Sequence, residues 1–261
     1  MALFGPAGLA DSFKTLGYKK SIQVADYLSR FGLTAFEYQA GRGVKIGTDA
    51  ARQLGDVLAD KNIQVSIQAP YFISMSSVEE EKRLNSVNYI LQSAQALDAM
   101  GGRRIIFHSG SCGKITREEA LSKAMNTMGK VNQLGSLDEV LALCTVDKRI
   151  LPCIDFGHLN ARDGGVIKGK DDYLRIIDRI AETLKDDRFM YFHSHFSKIE
   201  YTKGGEKRHL TFRDTVWGPE YEPLMDVVYE NNLSPVFICE SAGTQTEDAQ
   251  AMQRYFNALK K

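Results

Sequence analysis

The stretch Arg149-Ile150-Leu151-Pro152-Cys153-Ile154-Asp155-Phe156-Gly157-His158 sets an acid and a histidine at the end of a short apolar run. A run of this length, closed by polar residues and a glycine, reads as a strand buried on both faces of a parallel sheet. Three other runs close in a similar way: Ile105-Ile106-Phe107-His108, Met190-Tyr191-Phe192-His193 and Val236-Phe237-Ile238-Cys239-Glu240. Side chains at the C-terminal ends of separate parallel strands converge on one mouth of a closed sheet. His108, Asp155, His193 and Glu240 are therefore candidate ligands of a common metal centre, and a mixed imidazole and carboxylate set suits zinc, manganese or ferrous iron.

Outward from these four runs, short apolar segments alternate with longer amphipathic ones along the whole chain, the pattern of repeated strand-helix units. Strands are predicted near 2–4, 33–38, 63–69, 103–108, 150–155, 190–195 and 235–240. Helices are predicted at 21–31, 48–61, 79–100, 117–131, 136–144, 171–185, 219–231 and 247–259. Ser77 with Glu80 and Thr116 with Glu119 have the spacing of capping boxes, and Gly101-Gly102 supplies a left-handed helix end. The predicted fold is a TIM (β/α)8-type barrel forming one domain over 1–261. Only seven strands are visible, however. About 45 residues separate His108 from Asp155, where two complete units would need roughly 60. The text from Thr116 reads as one helix running almost directly into the next, so one strand-helix unit is shortened or deleted near 117–135.

Length and composition narrow the function classes. The 261 residues are 43% hydrophobic, with 33 basic and 33 acidic side chains, so no global positive field draws the chain to nucleic acid. Binding a polyanion would need a local basic patch. The four cysteines, Cys112, Cys144, Cys153 and Cys239, lack paired spacing and fit reduced thiols in a cytoplasmic protein. No leader-like start and no apolar stretch approaching about 18 residues argues for secretion or membrane spanning.

Several residues have two readings. His158, three positions after Asp155, is a ligand or a helix-capping residue. His195 shares the strand face of His193 and is a ligand or an orienting partner. His209 lies in the polar segment Lys203-Gly-Gly-Glu-Lys-Arg-His, as a ligand or an exposed loop histidine; Lys207 and Arg208 there either meet phosphates or are simply solvated.

In order along the chain, Gln-Ala-Pro-Tyr at 68–71, Phe-His-Ser-Gly at 107–110, Cys-Ile-Asp-Phe-Gly-His at 153–158, His193 with Lys198, His209, and Cys-Glu-Ser at 239–241 resemble the endonuclease IV family of abasic-site nucleases, within the xylose-isomerase-like barrel superfamily. The resemblance implies a cytoplasmic, monomeric, zinc-dependent phosphodiesterase of DNA repair, with up to three zinc ions and manganese as an alternative. It implies that Asp155, His193 and Glu240 hold one metal and carry the chemistry, and that His158 and His209 hold another. It also implies that His108 is a ligand, and that Tyr71 and Lys198 meet damaged double-stranded DNA. This chain departs from the family at three places. Gln68 stands where a liganding histidine is expected, Met125 where a bridging glutamate is expected, and Lys207 where an aspartate is expected, with Glu206 the nearest substitute. Two other readings stand beside it: a single-metal sugar isomerase or epimerase acting on a small sugar, favoured by the zero net charge and by Glu37 but disfavoured by the missing strand-end carboxylate, and a non-catalytic barrel, which follows from Gln68 and the lost strand.

Overall fold

The computed structural model describes residues 1–108, 114–128, 136–145, 147–202 and 205–260. Backbone packing divides the chain into two compact units, the first made of 1–36, 61–63 and 152–261, the second of 37–60 and 64–151.

The first unit is built on a four-stranded sheet in the order β1 (Leu3–Pro6), β9 (Val236–Cys239), β6 (His193–Phe196), β5 (Cys153–Asp155), every pair parallel. Its helices are α1 (Asp11–Thr15), α2 (Val24–Phe31), α7 (Phe156–Arg162), α8 (Lys170–Leu184), α9 (Glu222–Glu230) and α10 (Gln245–Ala258). Aromatic rings on β1 and β9, just ahead of β6, and on α7 and α10 pack together in its core. Phe4 lies 5.6 Å from Phe237 and 5.7 Å from Phe256, and Phe192 lies 6.2 Å from Phe237 and 6.4 Å from Phe156. Each such buried ring contributes about 1.5–3 kcal/mol relative to an exposed one, which fixes the height of every strand against its neighbours. An antiparallel hairpin, β7 (Lys198–Thr202) with β8 (Gly205–Leu210), follows β6 directly.

The second unit carries the sheet β2 (Ala35–Gln39), β3 (Gln64–Gln68), β4 (Arg104–Ile106), in that order. Helix α3 (Thr48–Ala59) buries Ala51, Leu54 and Leu58, and α4 (Glu80–Ala99) buries Ala96 and Leu97. Ala69, Ile73, Met75 and Ala124 form an apolar cluster with Tyr89, Ile90, Ile105 and Phe107 around it. Helices α5 (Arg117–Met128) and α6 (Leu137–Cys144) complete the described residues.

All seven predicted strands form, within a few residues of their expected limits, and among the described residues no strand lies between β4 and β5. The segment 129–135 of the shortened region, and the side chain at 125, lie outside the described residues. The Thr116–Glu119 box forms in both directions, at 3.0 and 3.1 Å. The Ser77–Glu80 box does not. Helix α4 starts at Glu80 behind Glu79, and the Ser77 hydroxyl instead accepts from the Glu79 amide at 3.2 Å. Gly101, at φ +70, ends α4 in the left-handed region that a side chain would strain.

Candidate metal centre

Asp155 is at once the last residue of β5 and the N-cap of α7. One carboxylate oxygen accepts from the His158 backbone amide at 2.9 Å, and the other faces Nδ1 of the same histidine. A strand that turns into a helix within one residue puts His158 on the first turn, directly over the acid. Gly157 makes that turn possible, since a Cβ there would sit 2.5 Å from the Ser197 carbonyl.

The hairpin brings the next pair. His158 Nε2 lies 2.6 Å from Glu206, whose other oxygen is 3.4 Å from His209 Nε2, while His209 Nδ1 contacts the Ser197 hydroxyl at 2.8 Å. His209, expected in a loop, is thus held on β8. Its position 2.8 Å from Ser197 and the cross-strand pairing of Ile199 with His209 give the ring a fixed place. Glu206 takes the site that Lys207 cannot: Lys207 is drawn to Glu200, which also holds Arg208 at 2.6 Å.

On β6 the structure corrects the strand-end reading. His193 opens the strand instead of closing it, and pairs across to Cys153; Asp155 is paired with His195. His195 Nδ1 is 3.4 Å from Glu240, which follows β9. The expected trio Asp155, His193 and Glu240 is therefore offset by one pleat. The ligand-capable groups that form in the first unit are Asp155, His158 and Glu240; His158, Glu206 and His209; and Cys153, His193 and His195. In each, the candidate ligand atoms lie within 4.8 Å of one another. Cys153 was not singled out as a ligand by sequence, although its spacing of two from Asp155 on one strand places both on the same face.

Electrostatics follow the geometry. Burial works against the charge of His158, but Asp155, then Glu206 and Glu240, outweigh it and push its pKa up to about 10. Burial would raise Asp155; the facing charge and hydrogen bond of His158, with His195, hold it well below the usual carboxylate range. Three carboxylates around one imidazole make a field that keeps a cation at this spot. A divalent ion meets the same field, and these oxygen and nitrogen donors match its chemistry.

In the second unit, His108 lies two residues beyond β4, with its Nε2 3.4 Å from the Gln68 amide nitrogen and its ring 5.4 Å from that of Tyr71. Gln68 is 1% exposed, whereas Tyr71 is 59% exposed. Glu37 is fully buried and accepts from Ser66 at 3.0 Å and from Gln39 at 3.3 Å. Lys198 is only 3% exposed; its ammonium donates to the Glu220 carboxylate at 2.6 Å and the Asp214 carbonyl at 2.7 Å, tying the start of the hairpin to the following loop. An open cleft of about 410 Å³ beside His209 is lined by Arg208, Arg213, Thr211 and Asp214.

The chain is similar to known proteins in sequence and fold. A family model described as xylose isomerase-like TIM barrel matches residues 25–131. An uncharacterized protein of Methanocaldococcus jannaschii is 31% identical over 280 aligned residues, covering 99% of this chain and 98% of its own length. That alignment is longer than the 261 residues available here, so it opens gaps on this side. A probable endonuclease 4 of Acholeplasma laidlawii is 26% identical over 140 residues, 44% of this chain and 48% of that one. Endonuclease IV of Thermus thermophilus superposes with a TM-score of 0.65 at 18% identity, covering 98% of each chain. The 3-keto-D-glucoside 4-epimerase of E. coli does so at 0.66 and 12%, covering 99% of this chain and all of that one. The fold is that of an α/β TIM-type barrel with parallel strands, and the chain belongs to the xylose isomerase-like TIM barrel family.

Proposed function

We propose that the protein is a metal-dependent phosphodiesterase that cleaves DNA at abasic sites. The observation that carries this reading is His158 standing between two carboxylate-bearing groups, Asp155 with Glu240 on one side and Glu206 with His209 on the other. A single-ion enzyme has no use for the second group. Two neighbouring cations would clamp both the attacking and the leaving oxygen of an in-line displacement at phosphorus.

Asp155 and Glu240 would hold one ion; the Nε2 atom of His158, Glu206 and His209 would hold the other. Asp155 also fixes the His158 ring by accepting a hydrogen bond from Nδ1–H, which would leave the Nε2 lone pair for the metal. Bound zinc, or manganese, lowers the pKa of a coordinated water toward about 7 and offsets charge on a phosphate. Arg208 and Arg213 along the cleft supply the local positive charge that a neutral chain otherwise lacks, and exposed Tyr71 offers a ring for stacking into a gap in the duplex. Buried Lys198 orders the hairpin instead of meeting DNA.

The test is cleavage of a duplex with one abasic site by zinc-loaded protein, and its loss in Glu240→Gln. No cleavage at any supply of zinc or manganese defeats the proposal. The epimerase reading is favoured by one feature, the buried Glu37 held by Ser66, a carboxylate placed for proton transfer. It predicts turnover of a ketose with about one ion per chain and no requirement for Glu206 or His209.

A further inference from the structure

We propose that Cys153, His193 and His195 form a separate metal site, one with a thiolate ligand, for a thiophilic divalent cation of which zinc is the type. Cys153 and His193 are directly paired across β5 and β6, and His195 lies two residues further on the same face of β6. Their candidate ligand atoms fall within 4.8 Å of one another, and both imidazoles are buried. A tetrahedral zinc with Zn–S of about 2.3 Å and Zn–N of about 2.0–2.1 Å needs its donors a little closer than this limit, which side-chain rotation supplies.

Three features set this site apart from the oxygen-rich centre. Two of its three donors, Cys153 and His193, sit one pleat lower on the sheet than the Asp155–His195 pair. Its donor set, one sulfur and two nitrogens, selects a borderline-soft ion, whereas Asp155, Glu240 and Glu206 also accept manganese. Glu240, 3.4 Å from Nδ1 of His195, stands where a carboxylate orients a metal-binding imidazole, so the two centres share a support without sharing their defining ligands. Loading releases the thiol proton of Cys153, since only the thiolate binds. The inference stands whether the substrate is DNA or a sugar, because no reaction enters it.

Cobalt(II) reports the donor directly. Titration of the full-length protein should give a near-ultraviolet sulfur-to-cobalt charge-transfer band that saturates at one ion per chain. Cys153→Ser should abolish that band and lower bound zinc by one ion per chain, while Cys239→Ser should leave both unchanged. X-ray absorption of the zinc-loaded wild-type protein should show a sulfur neighbour at about 2.3 Å, a measurement that does not depend on any variant folding. The absence of both the band and the sulfur neighbour in the wild type overturns the proposal. So does a band of full intensity in Cys153→Ser.

Discussion

The two sheets use the same position in opposite ways. Around the ends of β5 and β9, on β6 and on the β7–β8 hairpin, the first unit gathers three carboxylates and several imidazoles in trios whose candidate ligand atoms lie within 4.8 Å of one another, and one of those imidazoles is pulled strongly toward its cationic form. In the second unit, β3 and β4 end in an amide facing an imidazole at 3.4 Å, and the buried acid Glu37 is already satisfied by Ser66 and Gln39. Among the described residues, no metal-capable trio lies wholly within that second unit. Strand ends give convergence, but what converges depends on single residues: Gln68, a neutral amide, contributes neither the charge nor the donor strength that a cation needs.

Replacing Asp155 by alanine should break the contrast most. It removes a helix cap, an orienting acceptor and a carboxylate together, and metal affinity at both His158 groups should fall more than about 100-fold, since even outer partners of ligands are worth about 10–100-fold. Calorimetric zinc titration reads this, and unchanged affinity would mean that the clusters are structural ion pairs. Gln68→His attacks the difference from the other side. With His108 it supplies two imidazoles, so zinc bound per chain should rise and affinity at that position should increase by about tenfold or more. No gain would show that ligand identity is not what separates the two sheets.

A smaller effect is expected from pH. The folded pKa of His158, about 10, lies above the unfolded value of about 6.5. Its contribution to stability is therefore full below about pH 6.5 and is lost as pH rises through 10. Asp155 has the opposite sign, contributing above its unfolded pKa of about 3.9 and losing that contribution only as pH falls through its depressed folded value. The melting temperature of metal-free protein should decline between pH 7 and 10, and the decline should flatten in Asp155→Asn; an equally steep decline would contradict the His158–Asp155 pairing. Tyr71→Ala should be the mildest change to the fold, within about 0.5 kcal/mol, because the ring is exposed. If DNA is the substrate, affinity for the abasic duplex should nevertheless fall by about 1–3 kcal/mol. Unaltered affinity would remove the second unit from substrate binding.

The alternation of apolar runs and amphipathic segments was enough to locate every strand of the two larger sheets, because each strand lies in or directly follows a short apolar run bounded by polar residues. The elements it missed lack that signature. The β7–β8 hairpin, with Lys198, Glu200, Glu206, Lys207 and Arg208, is rich in charge and tied by cross-strand ion pairs, with Ile199 its fully buried apolar residue. Helices α1 and α7 are five and seven residues long, too short to show a period. Asp155, serving both as strand end and as cap, hid the start of α7 inside the very run that revealed β5.

By itself, the sequence determined the strand-helix order and the residue types able to bind metal, since these depend on local composition and on spacing along the chain. Only tertiary structure decided the grouping. The register of β5 against β6 placed His195, not His193, beside Asp155 and left His193 with Cys153. The hairpin carried Glu206 and His209 from a distant polar segment to His158. A slip of one residue in register turns a side chain to the other face of the sheet, and the docked hairpin brings together His158 and Glu206, 48 residues apart in sequence. Neither is written in the local pattern, because both are set by packing between strands that the chain itself keeps far apart.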